Sequence, residues 1–470
     1  MSDRSAHGAL LRAILAESLQ LWGVTGQVEA GEAPVVARIV AVNGTFVTIE
    51  DAPEALPFRW TVGWRSAHEA RGSAREKRPR ACPSVLGVLN GVRAALGVDR
   101  GTAVRVAPAP ACAPVSHVAP KSAAWHGLTH EARQNGDGRI PVSILTGFLG
   151  SGKTTLLSRL LRHPGMAKTA VVINEFGEIG LDHELIETSD ETLVTLSSGC
   201  LCCRVRSDLA LTLIDLAVRR AAGQVPCFER VVIETSGLAD PAPILHALAV
   251  DSALHERYGV AEVVTTVDAL TGSSTLEHYP ESLKQAALAD RLVLTKTDVE
   301  GAEIDATVAR LRAINPRAPL LRAVRGDVDP SLLFDPVLRG GAHDAMAIVD
   351  HVHTHDHSSG VSSFTLVREP LHAATLALFL SVLAENCGSD LLRMKGIVSI
   401  TEEPDRPAVI HGVQHVYHAP EWLERWPSED RRTRMVFIGR NLGEPWVRAV
   451  LELLEIEVDE ALRARSHAPA

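Results

Sequence analysis

The 470-residue chain is poor in aromatic side chains, with nine Phe, seven Trp and three Tyr, so its cores must rest mainly on Val, Leu, Ile and Ala. It has no apolar run long enough to span a bilayer. Asp3, Arg4, His7, Arg12 and Glu17 interrupt the apolar positions near its start, which excludes a signal peptide. A soluble, cytoplasmic protein is expected. Positive charge is in deficit: 47 Lys and Arg against 57 Asp and Glu leave a net charge of -10. That balance argues against a general nucleic-acid binder and against a polybasic membrane anchor, and favours a small-molecule or protein partner. Cysteines are few and odd in number, seven, and three of them crowd into positions 200, 202 and 203. This is no pattern for a disulfide scaffold; it suits a reducing compartment with metal or redox chemistry.

The length exceeds one ordinary core, so two or three domains are expected. Residues 1–106 read as a small α+β module without an assigned role. Residues 10–22 place apolar side chains at helical spacing and stop at Gly23. Residues 35–42 and 45–49, joined by Asn43-Gly44, predict a β-hairpin on a two-residue turn. Pro57-Phe-Arg-Trp-Thr-Val-Gly-Trp64 predicts another strand, and Ser84 caps an apolar helix reaching Leu96. The basic run at 71–80 is most simply a solvated loop, and Cys82 an inert thiol. Residues 107–137, rich in Ala and Pro, read as a linker.

Between residues 138 and 330, strand patterns near 140, 170, 193, 229, 261, 291 and 320 alternate with helical stretches such as 207–222 and 304–314. The alternation implies an α/β domain, a mainly parallel sheet covered by helices. Gly147-Phe-Leu-Gly-Ser-Gly-Lys-Thr-Thr155 follows the first strand and opens a helix, the setting in which this pattern is a phosphate-binding loop. Gly147, Gly150 and Gly152 let the backbone curl, so that the N–H groups through Ser151, Lys153, Thr154 and Thr155 face phosphate at the positive helix end. Lys153 would reach the β- and γ-phosphates and the Thr154 hydroxyl would take one place on Mg²⁺. The other loops of interest also leave strand ends, where ligands of such sheets sit. Asn174-Glu-Phe-Gly-Glu-Ile-Gly-Leu-Asp182 has the carboxylates and glycines of a loop that senses Mg²⁺ and the terminal phosphate. Glu234-Thr-Ser-Gly-Leu-Ala-Asp-Pro241 places the Glu234 carboxylate to hold the Mg²⁺ water shell and the Gly237 N–H beside that phosphate. In Thr295-Lys-Thr-Asp298, Asp298 can accept the ring N–H and exocyclic amine of guanine while the Lys296 stem lies along the base. Ala323-Val-Arg-Gly326 could close over the base.

Ser197-Ser-Gly-Cys-Leu-Cys-Cys203 carries the cysteine cluster. Cys200, Cys202 and Cys203 can converge on one Zn²⁺, Cu(I) or Co²⁺ if the backbone turns at Gly199, leaving a tetrahedral position open, as suits an ion that is handed on. A buried cysteine trio or a redox pair is the alternative. Within a linker over 331–361, His351, His353, His355 and His357 form either a metal-collecting tract or a His-rich polar spacer. Over 362–460 the order of strands and helices predicts an antiparallel sheet with helices on one face, a second α+β module. There Arg393 and Lys395 either meet an acidic partner or face water, and Cys387 and His415 read as core or surface residues, not ligands.

These motifs, with Asp390-Leu-Leu-Arg-Met-Lys-Gly396 and Arg434-Met-Val-Phe-Ile-Gly-Arg440, resemble the CobW-type family of metal-handling GTPases over residues 138–456. The resemblance implies a P-loop GTPase domain with a CobW-like C-terminal domain, GTP and Mg²⁺ as ligands, and Cys200, Cys202 and Cys203 as the cargo site. It also implies that Glu178 and Asp182 belong to a first switch coupling metal to nucleotide, and residues 234–237 to a second. Thr295 stands where the family has Asn and lacks the side-chain amide that ties this loop to the P-loop, so weaker guanine affinity is expected, with the preference kept by Asp298. The function expected is a slow, switch-type GTPase that carries a transition metal, zinc favoured and cobalt the alternative, to a client metalloprotein. A metal storage or sensing protein with nucleotide-gated binding, cobalt insertion into a corrinoid precursor, and metalloenzyme activation are the alternatives.

Overall fold

The computed structural model describes residues 2–51, 60–65, 80–82, 84–98, 139–174, 193–195, 202–334, 354–356, 360–417 and 420–466. They divide into two compact units, one made of Met1–Val104 with Gly360–Ala470, the other of Arg105–Ser359.

The chain begins with α1 (Ser2–Leu21), then β1 (Gly26–Ala30), β2 (Val35–Ala41), β3 (Phe46–Asp51), β4 (Trp60–Arg65), β5 (Arg80–Cys82) and α2 (Val85–Leu96). The five strands pair antiparallel in chain order. Alternation along β2 and β3 turns Ala37, Ile39, Ala41, Val47 and Ile49 into the core. The β2–β3 connection departs from the two-residue turn expected. Ala41 N–H donates to Thr45 O at 3.0 Å, so three residues form the loop, and Gly44, at φ 81°, supplies the left-handed position that such a loop requires. The start of α2 departs as well: Ser84 makes no side-chain cap, and the Val85 N–H is taken instead by both carboxylate oxygens of Glu457, at 2.9 and 3.2 Å. Cys82 is buried core. The basic run before Arg80 lies outside the described residues.

The second unit contains β6 (Ile140–Gly147), α3 (Lys153–Leu161), β7 (Thr169–Asn174), β8 (Leu193–Thr195), α4 (Cys202–Ala221), β9 (Arg230–Thr235), α5 (Ala242–Val250), α6 (Ser252–His255), β10 (Tyr258–Asp268), α7 (Gly272–His278), α8 (Pro280–Leu288), β11 (Arg291–Thr295), α9 (Ile304–Ile314), β12 (Leu320–Ala323), α10 (Ser331–Phe334) and β13 (Thr354–Asp356). One sheet runs β12-β11-β10-β6-β9-β7-β8, and every pairing in it is parallel. Near-continuous apolar strands follow from burial on both faces. Each strand pattern read from the sequence falls on one of these seven, and α4 begins five residues before the helix expected at 207. The strand order reverses beside β6: the chain builds outward through β7 and β8 on one side, then through β10, β11 and β12 on the other. That reversal opens a crevice at the carboxyl end of β6, where a ligand fits.

The remaining elements are β14 (Val361–Arg368), α11 (Ala373–Asn386), β15 (Leu391–Ile400), β16 (Glu403–Val413), β17 (Val416–Tyr417), β18 (Glu421–Trp422), β19 (Thr433–Arg440) and α12 (Glu444–Ser466). Antiparallel pairing orders them β14-β19-β15-β16-β17, with β18 also on β16. Phe437 stacks on Phe364 at 5.1 Å between ring centroids and meets Phe379 edge-on at 6.3 Å. The N-terminal elements share this core: a single apolar cluster includes Leu11, Ile39, Trp60 and Val88 together with Phe379, Phe437 and Leu454. Polar contacts stitch the same seam. The Trp446 indole donates to Ser18 Oγ at 2.9 Å, Asn90 Nδ2 donates to Glu385 Oε2 at 2.7 Å, and the Arg93 guanidinium donates to the Glu385 carbonyl. Arg393 is buried and does not face water; Cys387 is buried too.

Candidate nucleotide site

The loop between β6 and α3 is shaped by its neighbours. Gly147 has φ 146°, and a Cβ there would lie 2.3 Å from Thr266 Oγ1 and 2.4 Å from Thr266 O, so only glycine permits the loop to leave β6 against β10. Ser151 Oγ and Thr266 Oγ1 then share a hydrogen bond of 2.7 Å. Gly152, at φ 90°, is the residue before the first turn of α3 and offers no side-chain cap, which leaves the helix N-terminus turned to the crevice with its N–H groups open to an anion. Lys153 is 8% exposed, and its ammonium folds along the loop to donate to Gly147 O at 2.9 Å and Phe148 O at 3.1 Å. Lys153 lines a cavity of about 280 Å³, whose lining also includes Gly150, Thr155, Glu234, Gly237 and Lys296.

Below the loop, Thr154 Oγ1 donates to Glu234 Oε1 at 2.9 Å. The hydroxyl comes from the first turn of α3 and the carboxylate from the end of β9, which pairs directly with β6. Glu234 is 5% exposed. Two hard oxygen donors side by side at a helix N-terminus are the ligand type that Mg²⁺ takes, so Thr154 and Glu234 fit that ion. After Glu234 the chain turns back across the loop: Ala239 N–H closes a turn onto Ser236 O at 3.0 Å. A Cβ on Gly237 would stand 2.6 Å from Leu149 N, so this turn presses on the phosphate loop itself.

At the other end, Thr295 corrects an expectation. Its hydroxyl donates to Ser151 O at 2.7 Å, with Val267 O at 3.4 Å, so the end of β11 is tied to the P-loop without an amide. The reason is proximity: a Cβ on Gly152 would lie only 3.5 Å from Thr295, and over that gap a short β-hydroxyl suffices. Lys296 follows at φ 54°, and Asp298 accepts an ion pair of 3.5 Å from Arg325 Nε. The latter comes from the turn after β12, closed by Asp327 N–H on Val324 O, and Gly326 in that turn rests against the Thr155 carbonyl of α3. Of residues 323–326, Arg325 reaches the Asp298 carboxylate.

Other residues singled out in the sequence lie apart from this description. Cys202 and Cys203 form the first residues of α4, with side chains outside the described residues, as is Cys200. Glu178, Asp182, His351, His353 and His357 are outside them also; His355 sits in β13, its side chain likewise outside. Among the described residues no group of three or more His, Cys, Asp or Glu is arranged to hold a metal ion, and no helix is long and apolar enough to cross a membrane. Sequence reading missed Thr266 and Gln285, which brace the site from β10 and α8. It also missed the contact of Phe148 with Tyr279, ring centroids 4.6 Å apart. Thr266, Gln285 and Tyr279 stand in no motif, and an isolated Gln in a helix gives no signal.

A parallel sheet whose central strand ends in a phosphate loop, with a helix hydroxyl and a strand-end carboxylate meeting beneath it, defines a P-loop nucleotide hydrolase. Residues 141–322 match the CobW/HypB/UreG nucleotide-binding domain, residues 361–454 match the C-terminal domain of cobalamin synthesis protein cobW, and the chain belongs to this family of GTPases. The zinc chaperone YjiA of Escherichia coli (strain K12) is 36% identical over 314 residues, which are 66% of this chain and 97% of YjiA. The zinc chaperone CobW of Pseudomonas aeruginosa is 30% identical over 349 residues, 65% of this chain and 89% of that one. Among solved structures, the Zn(II)-bound YjiA GTPase from E. coli aligns with a TM-score of 0.53 at 29% identity, covering 67% of this chain and 99% of that chain. Both family matches begin after residue 140, so the N-terminal module belongs to neither.

Proposed function

We propose that this GTPase is a metallochaperone: it binds GTP with Mg²⁺, takes a transition-metal ion at Cys200, Cys202 and Cys203, and releases it to a client metalloprotein when hydrolysis resets its loops. The observation that carries the nucleotide half is the Thr154–Glu234 contact of 2.9 Å beneath a buried Lys153. Mg²⁺, held through Thr154 and Glu234, would neutralise charge on the phosphates. Lys153 would hold the β- and γ-phosphates, the Gly237 N–H would face the terminal one, and water would be the nucleophile. Asp298 and Lys296 would select guanine, with Arg325 giving way to the base. Because Arg325 is 82% exposed, its ion pair is weak and yields readily.

Zinc is favoured over cobalt because two relatives that align over most of their length are zinc chaperones and because three thiolates with an open fourth position suit an ion in transit. His351, His353, His355 and His357 would collect the ion, and Glu178 with Asp182 would couple its binding to the nucleotide. The test is GTP turnover by metal-stripped protein as Zn²⁺ or Co²⁺ is added, with Cys202→Ser alongside and ATP as the base control. One tightly bound equivalent should change the GTP rate, and the variant should lose that response. A GTP rate indifferent to metal would replace this reading with nucleotide-gated storage.

A further inference from the structure

One buried side chain grips the turn that follows Glu234. Gln285 of α8 is 0% exposed, and its Nε2 donates to Gly237 O at 3.2 Å and to Ala239 O at 2.9 Å, so both amide hydrogens are spent on that turn. The grip is itself anchored: the Gln285 carbonyl accepts from Thr265 Oγ1 of β10 at 2.9 Å. The preceding residue, Lys284, pairs with Asp240 at 3.2 Å, and Asp240 Oδ1 accepts the Ala242 N–H that begins α5. A single turn of α8 therefore holds residues 237, 239 and 240. The amide is costly where it stands. Its Oε1 is buried without a hydrogen-bond partner among the described residues, and an unmet buried acceptor is unfavourable. A methionine would fill the same space without that cost, so what the amide contributes is its hold on two carbonyls.

We infer that Gln285 is a positioning residue of the GTPase reaction. By fixing the Gly237 and Ala239 carbonyls it holds the peptide on the C-terminal side of Gly237, and through that neighbour the direction in which the Gly237 N–H meets the terminal phosphate, and so sets how strongly the protein distinguishes GTP from GDP. The inference rests on reading residues 234–237 as the second switch. Gly237 has little freedom of its own, being pressed on Leu149, which makes the choice of peptide orientation depend on what holds its other side.

Gln285→Met keeps volume and removes both donors. Affinities for GDP and for a non-hydrolysable GTP analogue would be measured for the full chain, with amide exchange at residues 236–239 under each nucleotide. Affinity for the analogue should fall on the order of tenfold, that for GDP by less than about twofold, and slowing of exchange specific to the analogue should vanish. Equal losses for both nucleotides, or analogue-specific slowing that survives in the variant, would overturn the inference while leaving the switch reading intact. Absence of that slowing in the unaltered protein would instead remove the switch reading and this inference together. Should Gln285→Met lower the melting temperature too far to assay, Gln285→Asn, whose shorter amide cannot span both carbonyls, carries the same criteria.

Discussion

In the unit built from both chain ends, the interior is organised by large side chains, Trp60, Trp446, Phe364, Phe379 and Phe437, and a buried hydroxyl such as Thr433 serves the local backbone, accepting the Ser399 N–H at 3.0 Å and facing the Ser399 carbonyl at 3.5 Å. In the nucleotide unit seven buried polar groups gather in one place. Thr146, Ser151, Lys153, Glu234, Thr235, Thr266 and Thr295 all lie at or beside the carboxyl ends of β6, β9, β10 and β11. Desolvating so many polar groups at one edge of a sheet opposes folding unless they satisfy one another and a ligand. The contrast teaches where chemistry sits: polar pairs scattered among large side chains hold shape, and polar groups gathered at one sheet edge can hold a ligand in position.

Substitutions in each interior sharpen the contrast. Phe437→Ala removes a ring packed against Phe364 and Phe379 and should cost about 3–5 kcal/mol, read as a lower denaturant midpoint. Thr295→Val is nearly isosteric and should cost about 1–3 kcal/mol by stranding the Ser151 carbonyl. Its diagnostic effect is on nucleotide: GTP binding should weaken while far-UV circular dichroism is unchanged, and normal GTP affinity would show that the hydroxyl tie has no role in the site. The smallest effect belongs to the surface of the first unit. Arg432 and Arg434, at 3.0 and 3.1 Å, hold the Asp430 carboxyl down at about 2. Its ionised form is favoured in the fold, so its contribution is complete above the ordinary Asp value of about 4 and is lost as pH falls toward 2. Thermal melts over that range should decline less steeply in Asp430→Asn, and by a modest amount because the pair is partly exposed.

Much of the nucleotide unit was legible because its signals are local. Apolar strand runs, the glycines of the phosphate loop and the carboxylate at the tip of β9 are each read within one short segment. The first unit was legible in its pieces but not in their union. Helix α2 looks self-capped by Ser84, whereas its cap is Glu457; the two ends look like separate modules, whereas Leu11, Trp60 and Phe437 share one core.

By itself, the sequence determined the α/β class, the phosphate loop and the positions of the parallel strands along the chain, since periodicity and glycine placement act over a few residues. Only the tertiary structure decided which distant groups meet. Glu457 caps a helix 372 residues away, the Thr295 hydroxyl does the work expected of an amide, and Gln285 reaches the turn of Gly237. Such pairings depend on distances of a few ångströms set by the packing of whole elements, and a hydrogen bond follows that distance, whatever the separation along the chain.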